Sequence, residues 1–194
     1  MGKQEELDQI EQEILDRNIC PKLAESATQL VMGEGRLDAE VVFIGEAPGK
    51  QEDLQGLPFV GASGKFLNEM LATINLTRKD VYVTNIVKYR PPKNRDPSKA
   101  EKVEFRGYLD RQLDIIQPRL IVTLGKHSGE EFLPNLKISQ VHGELQRTKK
   151  YWVLPLYHPA AALYNGSLRE TLFTDFQKIP QVLNEIDQQQ IDNK

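Results

Sequence analysis

The chain has 194 residues, 39% hydrophobic and 27% charged, an ordinary globular balance with length for a sizeable core in one domain over 1–194. A net charge of −3 and a pI near 5.7 exclude a protein that coats nucleic acid through overall basicity, though not one with a local positive surface. No apolar run approaches the ~18 residues of a membrane span, the acidic N-terminus lacks the apolar stretch of a signal peptide, and the single cysteine, Cys20, excludes an intrachain disulfide. Together these predict a cytoplasmic protein with no membrane contact, and no obligate protein partner is evident.

Leu7, Ile10, Ile14 and Leu15 predict an amphipathic helix over 4–17, ended by Cys20-Pro21. Residues 24–31 read as a short helix or a loop, and Gly33-Glu34-Gly35 as a turn. Val41 to Ile44 make a buried strand that ends on Gly45, followed by a long Gly- and Pro-rich turn. A helix is expected over 65–74 and a second strand over 81–87, while three prolines make 89–97 irregular. Ser98 and Glu101 form a capping box for a helix to about Ile116. A third strand covers 120–124, a short helix 126–132 and a β-rich segment 152–157. A final helix is expected over 168–185, running through Pro180, before a frayed polar tail at 187–194. Strands alternating with helices predict an α/β fold of three layers, α/β/α, with a parallel sheet covered on both faces.

The chain is organised around 41–64, VVFIGEAPGKQEDLQGLPFVGASG. A buried strand feeding such a loop, and then a helix, is how open α/β sheets build sites at strand C-termini. The loop exceeds the usual ~2–6 residues and has neither the Walker spacing nor GxGxxG, so no nucleotide cradle is expected. A plain connecting loop is the alternative.

GEAPG at 45–49, Glu52-Asp53, GLPFVG at 56–61 and Gly64 resemble the first motif of the family 4 uracil-DNA glycosylases. VYVTNIVKYRPPKNRDP at 81–97, VTLGK at 122–126 and HPAAAL at 158–163 resemble later stretches of that family in the same order. The resemblance runs from about Cys20 to Asp175. It implies a central four-stranded sheet in the order 2-1-3-4. It also implies a DNA repair glycosylase that flips uracil out of DNA and hydrolyses its N-glycosidic bond, with uracil-containing DNA as partner. Two other classes compete: a DNA-binding homologue without catalysis, and a hydrolase of free nucleosides or nucleotides.

Breaking the C1′–N1 bond builds positive charge on the sugar and negative charge on the base, so a site needs a platform, a reader and a donor to the base anion. The uracil pocket implied by the resemblance comprises Gly45, Ala47, Phe59, Asn85 and His158. Phe59 is the stacking platform, or else a staple holding its loop. Asn85 interrupts an apolar strand. Its amide matches the O4 and N3–H edge of uracil, the alternative being a strand-end bond to backbone. His158 ends a strand, where a neutral imidazole can donate to O2. Glu46 and Glu52 are catalytic candidates for positioning water or supporting the cationic sugar; either could instead cap a helix or brace the loop. Ala47 stands where family 1 enzymes carry an Asp. His127 and His142 have no assigned role.

Lys88, Arg90, Lys93 and Arg95 are candidate phosphate contacts, the alternative being a solvated loop. Ala160 and Ala161, with the small apolar residues up to Leu163, are candidates to enter the minor groove. Family 4 enzymes usually hold a [4Fe–4S] cluster on four cysteines. Here Cys20 is the only remaining candidate ligand: its CxxC partner falls on Arg17 or Leu23, and the other two positions on Tyr89 and Phe105. One thiolate cannot hold four irons, so neither metal nor other cofactor is expected, and aromatic packing takes the cluster's place.

Overall fold

The computed structural model describes residues 2–192. Chain order begins with α1 (Lys3–Asp16) and α2 (Pro21–Ser26), then a two-residue strand, β1 (Glu34–Gly35). The predicted stripe of α1 is buried at Leu7, Ile10 and Ile14, whereas Leu15 faces solvent. The central strand β2 (Val41–Gly45) is buried throughout, as its apolar run requires. The long turn beyond it contains an unforeseen short helix, α3 (Lys50–Gln55), before α4 (Ala62–Thr73).

Next come β3 (Tyr82–Asn85), the capped α5 (Lys99–Ile116), β4 (Leu120–Leu124), α6 (Lys126–Glu130) and α7 (Ile138–Val141). The capping box closes as expected, Glu101 N–H donating to Ser98 Oγ at 3.2 Å and Ser98 N–H to Glu101 Oε2 at 2.7 Å. A short β5 (Gln146–Arg147) precedes β6 (Trp152–Leu156), α8 (Pro159–Ala162), α9 (Gly166–Phe176) and α10 (Ile179–Asp192).

Two expectations for the C-terminus change. The single helix over 168–185 is two, because Pro180 lacks the N–H an interior turn needs and so falls in the first turn of α10. Residues 187–192 of the polar tail continue α10, while 193–194 lie outside the described residues.

The four long strands are parallel in the order β3-β2-β4-β6, the expected arrangement. Antiparallel β1 and β5 extend the edges to a mixed sheet of six. Strand alternation divides the core: Val42, Ile44, Ile121 and Val153 pack towards α1 and α5, while Val41, Phe43, Val122 and Leu154 pack towards α4, α9 and α10. Phe43 stacks on Phe176 at 5.4 Å between ring centroids. Among the described residues no helix is long and apolar enough to cross a membrane.

Candidate functional site

Parallel strands deliver their C-terminal ends to one rim, and the pocket lies there. Glu46 follows β2, Asn85 ends β3 and His158 follows β6; Phe59 leans in from the long turn. With Ala47, Pro48, Ser63, Arg95, Asp96 and Ala160 they line a cavity of about 430 Å³. The predicted pocket residues are therefore neighbours. Gly45 is what lets them meet, since an added Cβ would stand 2.5 Å from Asn85 Oδ1 and 2.6 Å from the Phe59 ring.

Phe59 adopts a left-handed backbone, φ 52°, unusual for an aromatic residue. The conformation is held on two sides. Arg78 donates to the carbonyls of Pro58 and Phe59 at 2.6 and 3.3 Å, and Gly64 packs so close to the Phe59 carbonyl that a side chain there would collide with it. Phe59 and His158 stack at 5.8 Å between ring centroids.

His158 caps α8, its Nδ1 accepting from Ala160 N–H at 3.0 Å. An accepting Nδ1 leaves the ring proton on Nε2. Burial pushes the imidazole pKa down to about 4, only partly opposed by the Glu52 charge. At neutral pH the residue is thus an uncharged imidazole with one N–H to give.

The two glutamates part company here. Glu52 Oε1 accepts from Val60 N–H and Gly61 N–H, each at 3.0 Å, and braces the loop beside Phe59. Asp53 is buried and accepts from Thr28 N–H at 2.8 Å, pinning the other side of α3. Among the described residues no backbone N–H donates to the Glu46 carboxylate, which faces His127 Nε2 at 4.0 Å. Burial raises the Glu46 pKa above the ordinary range, with the His127 charge opposing the rise and Asp96 adding to it. His127 also lies 3.3 Å from Asp96. Oxygen and nitrogen atoms of Glu46, Asp96 and His127 come within 4.8 Å of one another. Sequence reading missed this trio; the one available signal was that His127 follows β4 onto the same rim.

The basic loop needs one correction. Lys88 is fully buried, its Nζ donating to Thr84 Oγ1 at 2.6 Å and to the Asn85 main-chain oxygen at 2.7 Å, so it offers nothing to a phosphate. Lys88 turns inward because it leaves β3 one helical-like step past Thr84 and Asn85, whose oxygens need a donor. Arg90 and Lys93 remain on the surface, Arg90 bonded to Asn94, while Arg95 grips Glu101 at 2.7 and 2.9 Å. On α8, Ala160 and Ala161 are exposed, Ala162 is buried and Leu163 half-buried.

Around Cys20 the side chains do not fit an iron–sulfur cluster. The thiol is buried, its Sγ 3.8 Å from the Glu101 carbonyl oxygen, and burial pushes its pKa up to about 12. Tyr89 and Phe105 meet edge to face at 5.9 Å, and Leu23 is buried in the same cluster while Arg17 is exposed. With one cysteine in the whole chain, no four-thiolate site is evident.

The family model described as the uracil DNA glycosylase superfamily matches residues 32–183. The chain is 48% identical to the type-4 uracil-DNA glycosylase of Archaeoglobus fulgidus, over 90% of this chain and 92% of that one. It is 47% identical to the type-4 enzyme of Sulfurisphaera tokodaii, over 89% and 83%. Identity to the type-4 enzyme of Thermotoga maritima is 39%, over 92% and 95%. The chain belongs to the uracil DNA glycosylase superfamily.

Proposed function

We propose that this chain removes uracil from DNA by hydrolysing the N-glycosidic bond, leaving an abasic site, and that it does so without an iron–sulfur cluster. The observation that carries the reading is the meeting of Phe59, Asn85 and a neutral His158 at one pocket of a superfamily member.

Uracil must leave the duplex stack before its glycosidic bond is accessible. In the pocket its ring stacks against Phe59, and Asn85 donates to O4 and accepts from N3–H. A water oxygen bonds to C1′ as the C1′–N1 bond breaks. The bond's electron pair departs with N1, and the proton shed by the water balances the uracil anion. His158 Nε2–H donates to O2 as that charge grows, the moment at which a preorganised donor contributes most. Glu46, half-buried and with its carboxylate facing His127, supports the cationic sugar or orders the water; Glu52 keeps the loop in shape. Arg90, Lys93 and Arg95 face DNA phosphates, and Ala160 and Ala161 approach the minor groove. The buried thiol suits a reducing compartment such as the cytoplasm.

Single-turnover release of base from a uracil-containing single strand, beside free deoxyuridine, tests the reading. Release from the strand alone is expected. Release from the nucleoside alone would make the protein a nucleoside hydrolase, and DNA binding without release a non-catalytic homologue. Metal analysis after anaerobic purification should find no stoichiometric iron; iron with a broad absorption near ~400 nm would sink the cluster-free half of the reading.

A further inference from the structure

Lys88 is among the largest fully buried side chains of the protein, and among the described residues it forms no ion pair. Its ammonium has two partners, the Thr84 hydroxyl and the Asn85 carbonyl. Thr84 in turn donates to the Met32 carbonyl at 2.7 Å, and Lys88's own carbonyl accepts from Val31 N–H at 2.8 Å. The Lys88 side chain is therefore held at both ends of its reach, immediately behind the residue that ends β3 in the pocket.

A hydrogen bond to the Asn85 carbonyl is structurally useful, because β3 stops there and a buried carbonyl needs a donor. Any neutral donor would serve. An unpaired ammonium in the same place costs far more, since burial disfavours its charge. Burial alone lowers the lysine's pKa to about 7, with no carboxylate acting against it. Groups held at such expense gather where charge is used.

We propose that Lys88 is a positioning residue of the base pocket, fixing the Asn85 main chain and setting an unbalanced positive charge behind it that favours the departing base anion. This rests on the uracil-excision reading. It assigns a role to a residue that touches neither base nor sugar. The charge acts through the Asn85 peptide, whose dipole it polarises, and is not spent on a counter-ion.

The test is single-turnover excision of uracil and of 5-fluorouracil from matched oligonucleotides at pH 6 by the wild type, Lys88→Met and Lys88→Gln. 5-Fluorouracil is the more acidic leaving group and needs less help as an anion. Lys88→Met should lose about tenfold on uracil and no more than about twofold on 5-fluorouracil, the signature of lost charge stabilisation. Lys88→Gln keeps a donor without the charge and should follow the same pattern. Lys88→Met should also melt near the wild type, because removal of a buried unpaired charge offsets the Asn85 carbonyl left without its donor. Equal losses on both bases, no loss, recovery by Gln, or failure of the Met variant to fold would each overturn the proposal. A wild type inactive on uracil overturns the excision reading as well; an active wild type with any of those four results overturns this proposal alone.

Discussion

The rim of strand ends and the corner around Cys20 lie on either side of one short stretch, 86–89, and are built on opposite terms. At the rim, polar groups are buried and each is constrained by another: Asn85 by Lys88, His158 by α8, the Phe59 backbone by Arg78. At the corner, Leu23, Tyr89 and Phe105 fill space with apolar surface within one hydrophobic cluster. Consecutive residues serve the two regions, Lys88 turning behind the pocket and Tyr89 into the corner. The contrast teaches that a corner held by packing can adjoin a pocket held by polar bonds without sharing them. Substitutions in the corner should therefore change stability, and substitutions at the rim should change rate.

The sharpest break would come from Phe105→Ala. Truncating a fully buried Phe typically costs about 3–5 kcal/mol, so the melting midpoint should fall steeply. Rate per folded molecule should hold at temperatures below the transition. A rate that collapses while the protein is still folded, by near-ultraviolet circular dichroism, would mean that the corner shapes the pocket.

His158→Ala should slow uracil release about hundredfold, the usual cost of losing a donor to a developing anion, without relaxing the choice of base. The same residue carries a pH signature. Its folded pKa of about 4 lies below the ordinary 6.5, so between those values the unfolded chain takes up a proton that the folded protein refuses. Stability is thus lost as pH falls from 6.5 towards 4, and denaturant titrations of His158→Ala should lack that part of the loss.

Asn85→Asp keeps the shape but exchanges a donor for an acceptor. Uracil excision should fall at least about tenfold, near 1.4 kcal/mol. Retained activity in single-turnover assays would remove Asn85 as the reader. The smallest effect belongs to the surface: neutralising Arg90 and Lys93 together should flatten the slope of log K against log salt by roughly 1.4–1.8, with kcat nearly unchanged. An unaltered slope moves the DNA path elsewhere.

The pattern of the chain carried the sheet because buried parallel strands announce themselves: Val41–Gly45, Leu120–Leu124 and Trp152–Leu156 are where their apolar runs put them. Asn85 was visible as a polar residue out of place in such a run. Lys88 was misread for the converse reason. A lysine among Arg90, Lys93 and Arg95 has the look of a solvated surface, and its inward turn shows only in its buried bonds to Thr84 and Asn85. Glu46 and Glu52 lie in the same long turn, and which of them braces the loop is decided by where Val60 and Gly61 aim their N–H groups. The approach of His127 to Glu46 and Asp96 joins three separate segments, so no local pattern could contain it.

The Cys20 thiol is buried, and burial pushes its pKa up to about 12, so it stays protonated at neutral pH. Sulfur in that form reacts sluggishly with peroxide, with alkylating agents and with other thiols. The corner thereby presents an oxidant with an enclosed, protonated sulfur rather than a ready thiolate.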